Sequence, residues 1–400
     1  MDITQALALL GGISPQTFMK RHWQKKPLLI RQAVPALGAP GARPMLDRAA
    51  LFDLAASGDV ESRLVTHFAS GSRSKAKTKS ASRGQGVKTW QLAQGPFARR
   101  GLPALKQADW SLLVQGVDLH HEGIRALMDQ FRFVPDARLD DVMVSYATPG
   151  GGVGPHFDSY DVFLLQAHGR RRWQIGRQKD LSLEPGVPLK ILANFTPEET
   201  FILEPGDMLY LPPRYAHDGV ALDECMTWSI GFRAPGQGEL ARELLLRLAD
   251  DAQDEAGTAL YRDADQGAAA AAAQIPQALQ AFAQAALQRA LQDPAVSLRA
   301  LGEYLTEPKS NVWFDAGGPA GSATRAQTSA LRLDRRTKMM FDERHVFING
   351  ESFLAQGRDA LLMRRLANER CLAGADLKRA SAGAQGLLQD WIEAGWMHEL

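Results

Sequence analysis

A chain of 400 residues is too long for one hydrophobic core, so two or three domains are expected. Hydrophobic residues make up 45% and charged residues 23%; 46 Lys+Arg against 45 Asp+Glu leave a net charge of +1, which gives no global reason to expect nucleic-acid or membrane binding. The two cysteines, Cys225 and Cys371, are too far apart for a metal-type spacing; they exclude a disulfide framework and fit a reducing compartment.

The stretch Met1–Trp23 has no basic segment before its short apolar run and no small-residue cleavage site after it, so it reads as an amphipathic helix rather than a signal peptide. Nowhere do about eighteen apolar residues run together, so no membrane-spanning helix is expected and the expected location is the cytoplasm. Residues 1–60 read as helices and loops, broken by Pro27, Pro35, Pro40 and Pro44. Between Ser70 and Lys88, Arg73, Lys75, Lys77, Lys79, Arg83 and Lys88 occur without an acidic residue. This is a solvated basic loop, or an arm that meets a nucleic-acid-rich partner.

From Asp140 to Arg233 the pattern is that of strands. Val142, Val144 and Tyr146 mark one face of a strand, with Met143 and Ser145 on the other. Tyr160–Gln166 is a second strand, Ala167–Gly169 a hairpin turn and Arg170–Ile175 a third strand. The turn Glu204-Pro-Gly-Asp207 leads into Met208–Leu211, and Cys225–Phe232 closes the block. Short strands separated by turn residues predict a β-barrel or sandwich. After Pro235 the period becomes helical. Glu239, Leu240, Leu244, Leu245 and Leu248 share one side of a helix, and Gln277–Leu291 forms another beyond the alanine run Ala268–Ala273. Short strands at Leu331–Leu333, Lys338–Phe341 and Val346–Ile348, an Asn349-Gly350 turn, and helices at Asp359–Asn368 and Gly386–Trp396 predict a winged-helix-like module. The organisation expected is a catalytic domain over 1–235, a helical dimerisation region over 236–325 and the winged-helix-like module over 326–400.

The chemistry concentrates in Gly150-Gly-Gly-Val-Gly-Pro-His156-Phe-Asp158-Ser-Tyr160-Asp161. Residues two apart on a strand share a face, so His156 and Asp158 reach one point together. Imidazole plus carboxylate supplies two ligands of a facial triad that leaves positions open on iron(II). The third is expected from His217, just past Leu211-Pro-Pro-Arg-Tyr-Ala. A lone H-x-D pair is weak; the glycine run before it and the Pro-Pro turn before a second histidine raise its weight. An oxo-acid co-substrate needs a cation, and Arg170-Arg171-Arg172 offers either Arg171 or the pair Arg170 and Arg172. Ser145 can donate to the same carboxylate. Tyr160 continues the face of His156 and Asp158, and Asp161 lies near the expected mouth.

These segments, with Gly169-Arg-Arg-Arg-Trp173, Glu204-Pro-Gly-Asp207, Gly231-Phe-Arg-Ala-Pro235 and Leu112-Leu-Val-Gln-Gly-Val-Asp118, are similar to those of the bacterial ribosomal oxygenases. The resemblance is most specific from Trp110 to Pro235. It implies an α+β chain with a double-stranded β-helix (cupin, Jumonji-C) core, a helical dimerisation region and a C-terminal winged helix. It also implies Fe(II) held by His156, Asp158 and His217, with 2-oxoglutarate and dioxygen as co-substrates. Among the three arginines it selects Arg171 as the 2-oxoglutarate anchor, with Ser145 beside it. The implied substrate is an arginine of large-subunit ribosomal protein sixteen, hydroxylated at its β-carbon, and a homodimer is implied. On electrostatic grounds Asp158 and Asp161, near the mouth, are expected to attract the guanidinium, with Tyr160 packing against it. A protein histidyl hydroxylase, a lysyl demethylase and a non-catalytic ribosome-binding cupin are the competing readings.

Overall fold

Alternation along the strand Leu139–Ala147 divides the larger part of the molecule into a structural face and a chemical one. The computed structural model describes residues 2–42, 44–69, 88–315 and 330–400. The basic stretch beginning at Ser70 lies, but for Lys88, outside the described residues, as does the expected boundary at 325/326. The chain divides into two compact units, Met1–Ala234 and Pro235–Leu400.

The first unit contains β1 (Leu28–Ile30), β2 (Ser62–Ala69), β3 (Lys88–Gln94), β4 (Trp110–Val114), β5 (Leu139–Ala147), β6 (Val162–His168), β7 (Arg171–Gly176), β8 (Glu199–Leu203), β9 (Met208–Leu211), β10 (Ala216–Ala221) and β11 (Cys225–Phe232). One sheet runs β1-β9-β6-β11-β5-β4-β2-β3, and a smaller one runs β10-β7-β8. Every pairing is antiparallel, with Val144 opposite Trp228 and His217 opposite Ile175. On the large sheet Val142, Val144, Tyr146, Phe163, Leu165, Trp228, Ile230 and Phe232 turn to one side. There they bury against Phe18, Trp23, Leu51, Phe52, Ile124, Leu127 and Phe131 from the preceding helices and loops. The helices Pro15–Arg21 and Arg48–Ala56 start at Ser14 and Asp47, whose side chains accept from Thr17 N (3.2 Å) and Ala50 N (2.8 Å). Fully burying an aromatic such as Trp228 contributes about 2–3 kcal/mol by area. The opposite parity, Met143, Ser145, Val162, Leu164, Thr227 and Ser229, faces a cavity between the two sheets. The predicted faces of β5 are therefore observed.

Three expectations are corrected. Ala167–Gly169 is not a hairpin turn: β6 pairs with β9 and β11, and β7 with β8 and β10, so the turn carries the chain from one sheet to the other. Strands begin well before Asp140, because β1 to β4 extend the large sheet at both edges. The first residues form no continuous amphipathic helix but a short 3-10 turn, Ala8–Leu10, and the helix Pro15–Arg21.

The second unit opens with helices Gln237–Ala256, Gln277–Ala290 and Pro294–Thr306; the alanine run between the first two is not helical. It continues with β12 (Ala330–Leu333), β13 (Met339–Phe341), β14 (His345–Ile348), β15 (Glu351–Leu354), helix Gly357–Glu369, β16 (Cys371–Ala373), helices Gly374–Leu377 and Ala382–Glu393, and β17 (Met397–Glu399). Asn349 and Gly350, with φ of 48° and 91°, make the predicted turn between β14 and β15. Leu331, Leu366, Leu372, Leu388, Trp391 and Met397 form its core. The Phe347 ring lies where a Cβ on Gly302 would stand 2.4 Å away, so helix Pro294–Thr306 seats directly on β14. Among the described residues no helix is long and apolar enough to cross a membrane.

Candidate metal and co-substrate site

The glycine run shapes the metal-side loop by steric exclusion. A Cβ on Gly152 would stand 2.5 Å from Gly219 O, and Gly154 has φ +80° with Ile191 and Trp90 closing over it. The loop thereby runs hard against β10. His156 and His217 exchange backbone hydrogen bonds (His156 N to His217 O, 3.0 Å; His217 N to His156 O, 2.8 Å) as an isolated bridge. Sequence alternation assigned His156 and Asp158 to one strand. Here a single bridge and the loop after it produce the same convergence.

The two imidazole centroids are 4.3 Å apart, and His217 Nε2 lies 3.7 Å from Asp158 Oδ2. The ligand atoms of His156, Asp158 and His217 all fall within 4.8 Å of one another. Each histidine is oriented by its own chain: His156 Nδ1 lies 2.9 Å from Gly154 O, and His217 Nδ1 lies 3.0 Å from Tyr215 O. With Nδ1 donating, both Nε2 lone pairs are free for a cation. Burial, reinforced by the neighbouring His156, holds the His217 pKa well below the ordinary histidine value, opposed in part by Asp158. A neutral imidazole is the form that ligates. Two imidazoles and one carboxylate on one side of an open cavity fit a divalent metal with positions to spare.

Alternation left the choice among the arginines open. Arg170 points outward to Asp223 (2.8 Å) and is about half exposed. Arg171 is 5% exposed and lines the cavity of about 510 Å³ that also holds the three ligands. Its Nη1 donates to Ser145 Oγ at 3.4 Å, while Nε and Nη2 are buried without a partner among the described residues. Ser145 in turn donates to Thr227 O (3.3 Å). A buried cation lacking an anion costs several kcal/mol, and a carboxylate entering the cavity removes that cost. The residues therefore fit an oxo-acid: one end at the metal, the other at the open edge of Arg171.

Tyr160 lines the same cavity, 39% exposed, and burial followed by the charges of Asp158 and Asp141 raises its pKa. Asp161 does not belong with it. Its side chain is fully buried and accepts from Tyr210 Oη (2.6 Å), Gln24 Nε2 (3.1 Å) and Arg138 Nη2 (3.5 Å), so it ties the N-terminal segment to the sheet. The chain enters β6 after Tyr160, and the next residue faces the opposite way. Acidic lining comes instead from Asp140 and Asp141, the latter accepting from Gln115 Nε2 at 2.8 and 3.1 Å. Asp141 shares parity with Met143 and Ser145, so the alternation of β5 already carries it to the cavity face. Arg63, Val65, Leu92, Ser111 and Leu113, from the strands the sequence reading missed, complete this wall, and Pro188–Lys190 from the β7–β8 connection close another.

Comparison with known proteins agrees with this geometry. A JmjC domain model matches residues 126–240, and a ROXA-like winged helix model matches residues 289–398. The solved structure of YcfD, a ribosomal oxygenase from Escherichia coli, in complex with cobalt and 2-oxoglutarate is 30% identical with TM-score 0.72, covering 96% of this chain and 97% of that one. The chain belongs to the JmjC ribosomal oxygenases. An X-ray structure of E. coli ycfD superposes with TM-score 0.77 over 96% and 97% of the two chains at 29% identity. The chain is 41% identical over 252 residues to the ribosomal protein uL16 3-hydroxylase of E. coli (strain K12), a match covering 62% of this chain and 59% of that protein. It is 36% identical over 233 residues to a probable ribosomal oxygenase of Haemophilus influenzae, covering 57% and 52%. The sequence matches thus span between half and three-fifths of these curated relatives. The ROXA-like match begins before β12 and takes in the helix seated on β14.

Proposed function

We propose that this protein is an iron(II)- and 2-oxoglutarate-dependent oxygenase that hydroxylates the β-carbon of an arginine in the large-subunit ribosomal protein uL16. The observation that carries the reading is the buried guanidinium of Arg171, two of its donors open, across one cavity from His156, Asp158 and His217. The metal, when bound, supplies the oxidising chemistry that spends 2-oxoglutarate and dioxygen and leaves succinate and carbon dioxide.

His156, Asp158 and His217 hold that metal. Arg171 takes the distal carboxylate of 2-oxoglutarate in a charge-assisted pair, with Ser145 alongside. Leu113, Leu164 and Trp173 present apolar surface around it and limit water. Asp140 and Asp141 with Tyr160 receive the substrate guanidinium, two carboxylates attracting it and a ring packing on it. The β5 aspartates thereby take the role expected of Asp161.

Helices Gln237–Ala256 and Gln277–Ala290 leave Leu245, Leu246 and Leu287 more than half exposed. This supports a homodimer made through the 236–325 region. Action on a ribosomal protein supports a cytoplasmic location.

The test incubates uL16 with purified protein, iron(II), 2-oxoglutarate and ascorbate and follows succinate and the tryptic arginine peptide by mass spectrometry. One added oxygen on that arginine, lost in His156→Ala, is expected. Succinate release without any modified ribosomal peptide sinks the substrate assignment, and no succinate release sinks the enzymatic one.

A further inference from the structure

The turn that delivers His217 contains a backbone outlier. Arg214, in Pro212-Pro213-Arg214-Tyr215, has φ +63°, the left-handed region where a side chain costs about 1 kcal/mol and glycine does not. Its amide donates to Asp158 O at 2.7 Å, a bond that glycine would make equally well. What arginine alone adds is the guanidinium. Strain retained at one residue points to a use for that residue's side chain.

The guanidinium of Arg214 has no hydrogen-bond or carboxylate partner among the described residues. It lines a cavity of about 260 Å³ together with Lys25 and Arg177, and this cavity shares no residue with the catalytic one. Among the described residues Lys25 Nζ donates only to the carbonyls of Met19 (3.3 Å) and Lys20 (2.7 Å). Arg177 donates to Lys25 O (3.1 Å) and lies 6.0 Å from the centroid of the Tyr215 ring. Neither meets a carboxylate among the described residues. Lys20, Arg21, Lys26 and Lys179 stand beside them in the chain, exposed and without ion pairs among the described residues. Against these cations stand Asp180, which Ser182 and Asn194 already engage, Glu198, which accepts from Tyr215 Oη at 3.2 Å, and Glu199. In a chain of net charge +1 this leaves an excess of positive charge in the segments that line the cavity.

We infer that the Lys25–Arg177–Arg214 cavity binds backbone phosphate of RNA, as a docking surface separate from the catalytic cavity. A polar hollow lined by two arginines and a lysine matches a phosphate, with Arg214 able to make a bidentate contact. The choice of RNA over another polyanion rests on the proposed ribosomal substrate; the anion site itself does not.

The test titrates full-length protein into a fluorescein-labelled RNA duplex of roughly 16 base pairs and reads anisotropy at rising salt. The parent is compared with R214G and with K25S/R177S/R214G. Expected are at least about a tenfold loss of affinity in the triple variant and a slope of log K against log salt shallower by about 2. R214G alone is expected to bind more weakly while its Tm holds or rises, because glycine relieves the left-handed backbone. Equal RNA affinity in parent and triple variant overturns the proposal, as does a parent that binds no RNA. Displacement of RNA by micromolar pyrophosphate replaces it with a small-anion site. A lower Tm in R214G makes Arg214 structural and also overturns it. Hydroxylation is not read, so failure here is distinct from failure of the enzymatic assignment, which His156→Ala tests.

Discussion

Two buried ions, one in each unit, are treated in opposite ways. In the first, Arg171 is almost inaccessible to solvent, yet two of its nitrogens have no partner among the described residues. In the second, Asp334 is equally buried and fully used. Its carboxylate accepts from Arg336 N and Nε, both at 2.8 Å, and lies 2.8 Å from His398 Nε2, while its carbonyl accepts from Arg370 Nη2 at 2.7 Å. A closed network of this kind holds a small core together. An open one is a cost carried until a ligand arrives. The comparison separates residues kept for stability from residues kept for chemistry without appeal to any relative.

Replacing Arg171 by Leu puts this distinction to its hardest test. The KM for 2-oxoglutarate is expected to rise at least about 100-fold, in line with losing one partner of a buried charge pair. The Tm of the ligand-free protein should hold or rise, since an uncompensated charge is exchanged for apolar packing. A Tm that falls by many degrees would show that Arg171 is structurally paired after all.

Asp334→Ala should do the reverse. Arg336 and His398 lose their acceptor, and about 3 kcal/mol of stability in the second unit goes with it. Turnover of 2-oxoglutarate stays at the parent rate. Calorimetry and a succinate assay on the same preparation decide, and a matching loss of turnover would break the comparison.

The smallest effect concerns pH. Against the cost of its burial, hydrogen bonds from Arg336 and His398 lower the Asp334 pKa to about 2. A depressed carboxylate stabilises fully above its unfolded value of about 4, and that stability is lost as pH falls toward 2. About 1 kcal/mol, after allowance for solvent screening, should disappear from the second unit across that window. Urea midpoints measured at pH 5, 4 and 3 in the parent, but not in Asp334→Ala, should record it.

Much of this was legible in the sequence because β5 alternates so cleanly. Val142, Val144 and Tyr146 against Met143 and Ser145 gave both the packed face and the cavity face, and the Pro-Pro turn marked where His217 enters. What escaped has physical reasons. β4 is buried along its whole length, so Trp110–Val114 shows no alternation to read. Ala167–Gly169 has hairpin chemistry, but a turn does not encode which strand its successor will join. Asp161 was placed by nearness to Asp158, whereas the reversal into β6 sends it to Tyr210 and Gln24. Arg171 could not be chosen from parity alone, because parity does not say which side of β7 faces inward.

The two Nδ1 contacts to Gly154 O and Tyr215 O have a consequence for how such a chain can vary. Each imidazole is aimed by a carbonyl two positions earlier on its own backbone, so ligand orientation is a property of chain length rather than of neighbouring side chains. Residues around the loop are free to change in identity wherever sterics permit. Insertion or deletion of one residue between Gly152 and His156, or between Pro213 and His217, rotates a ring out of register and has no local remedy.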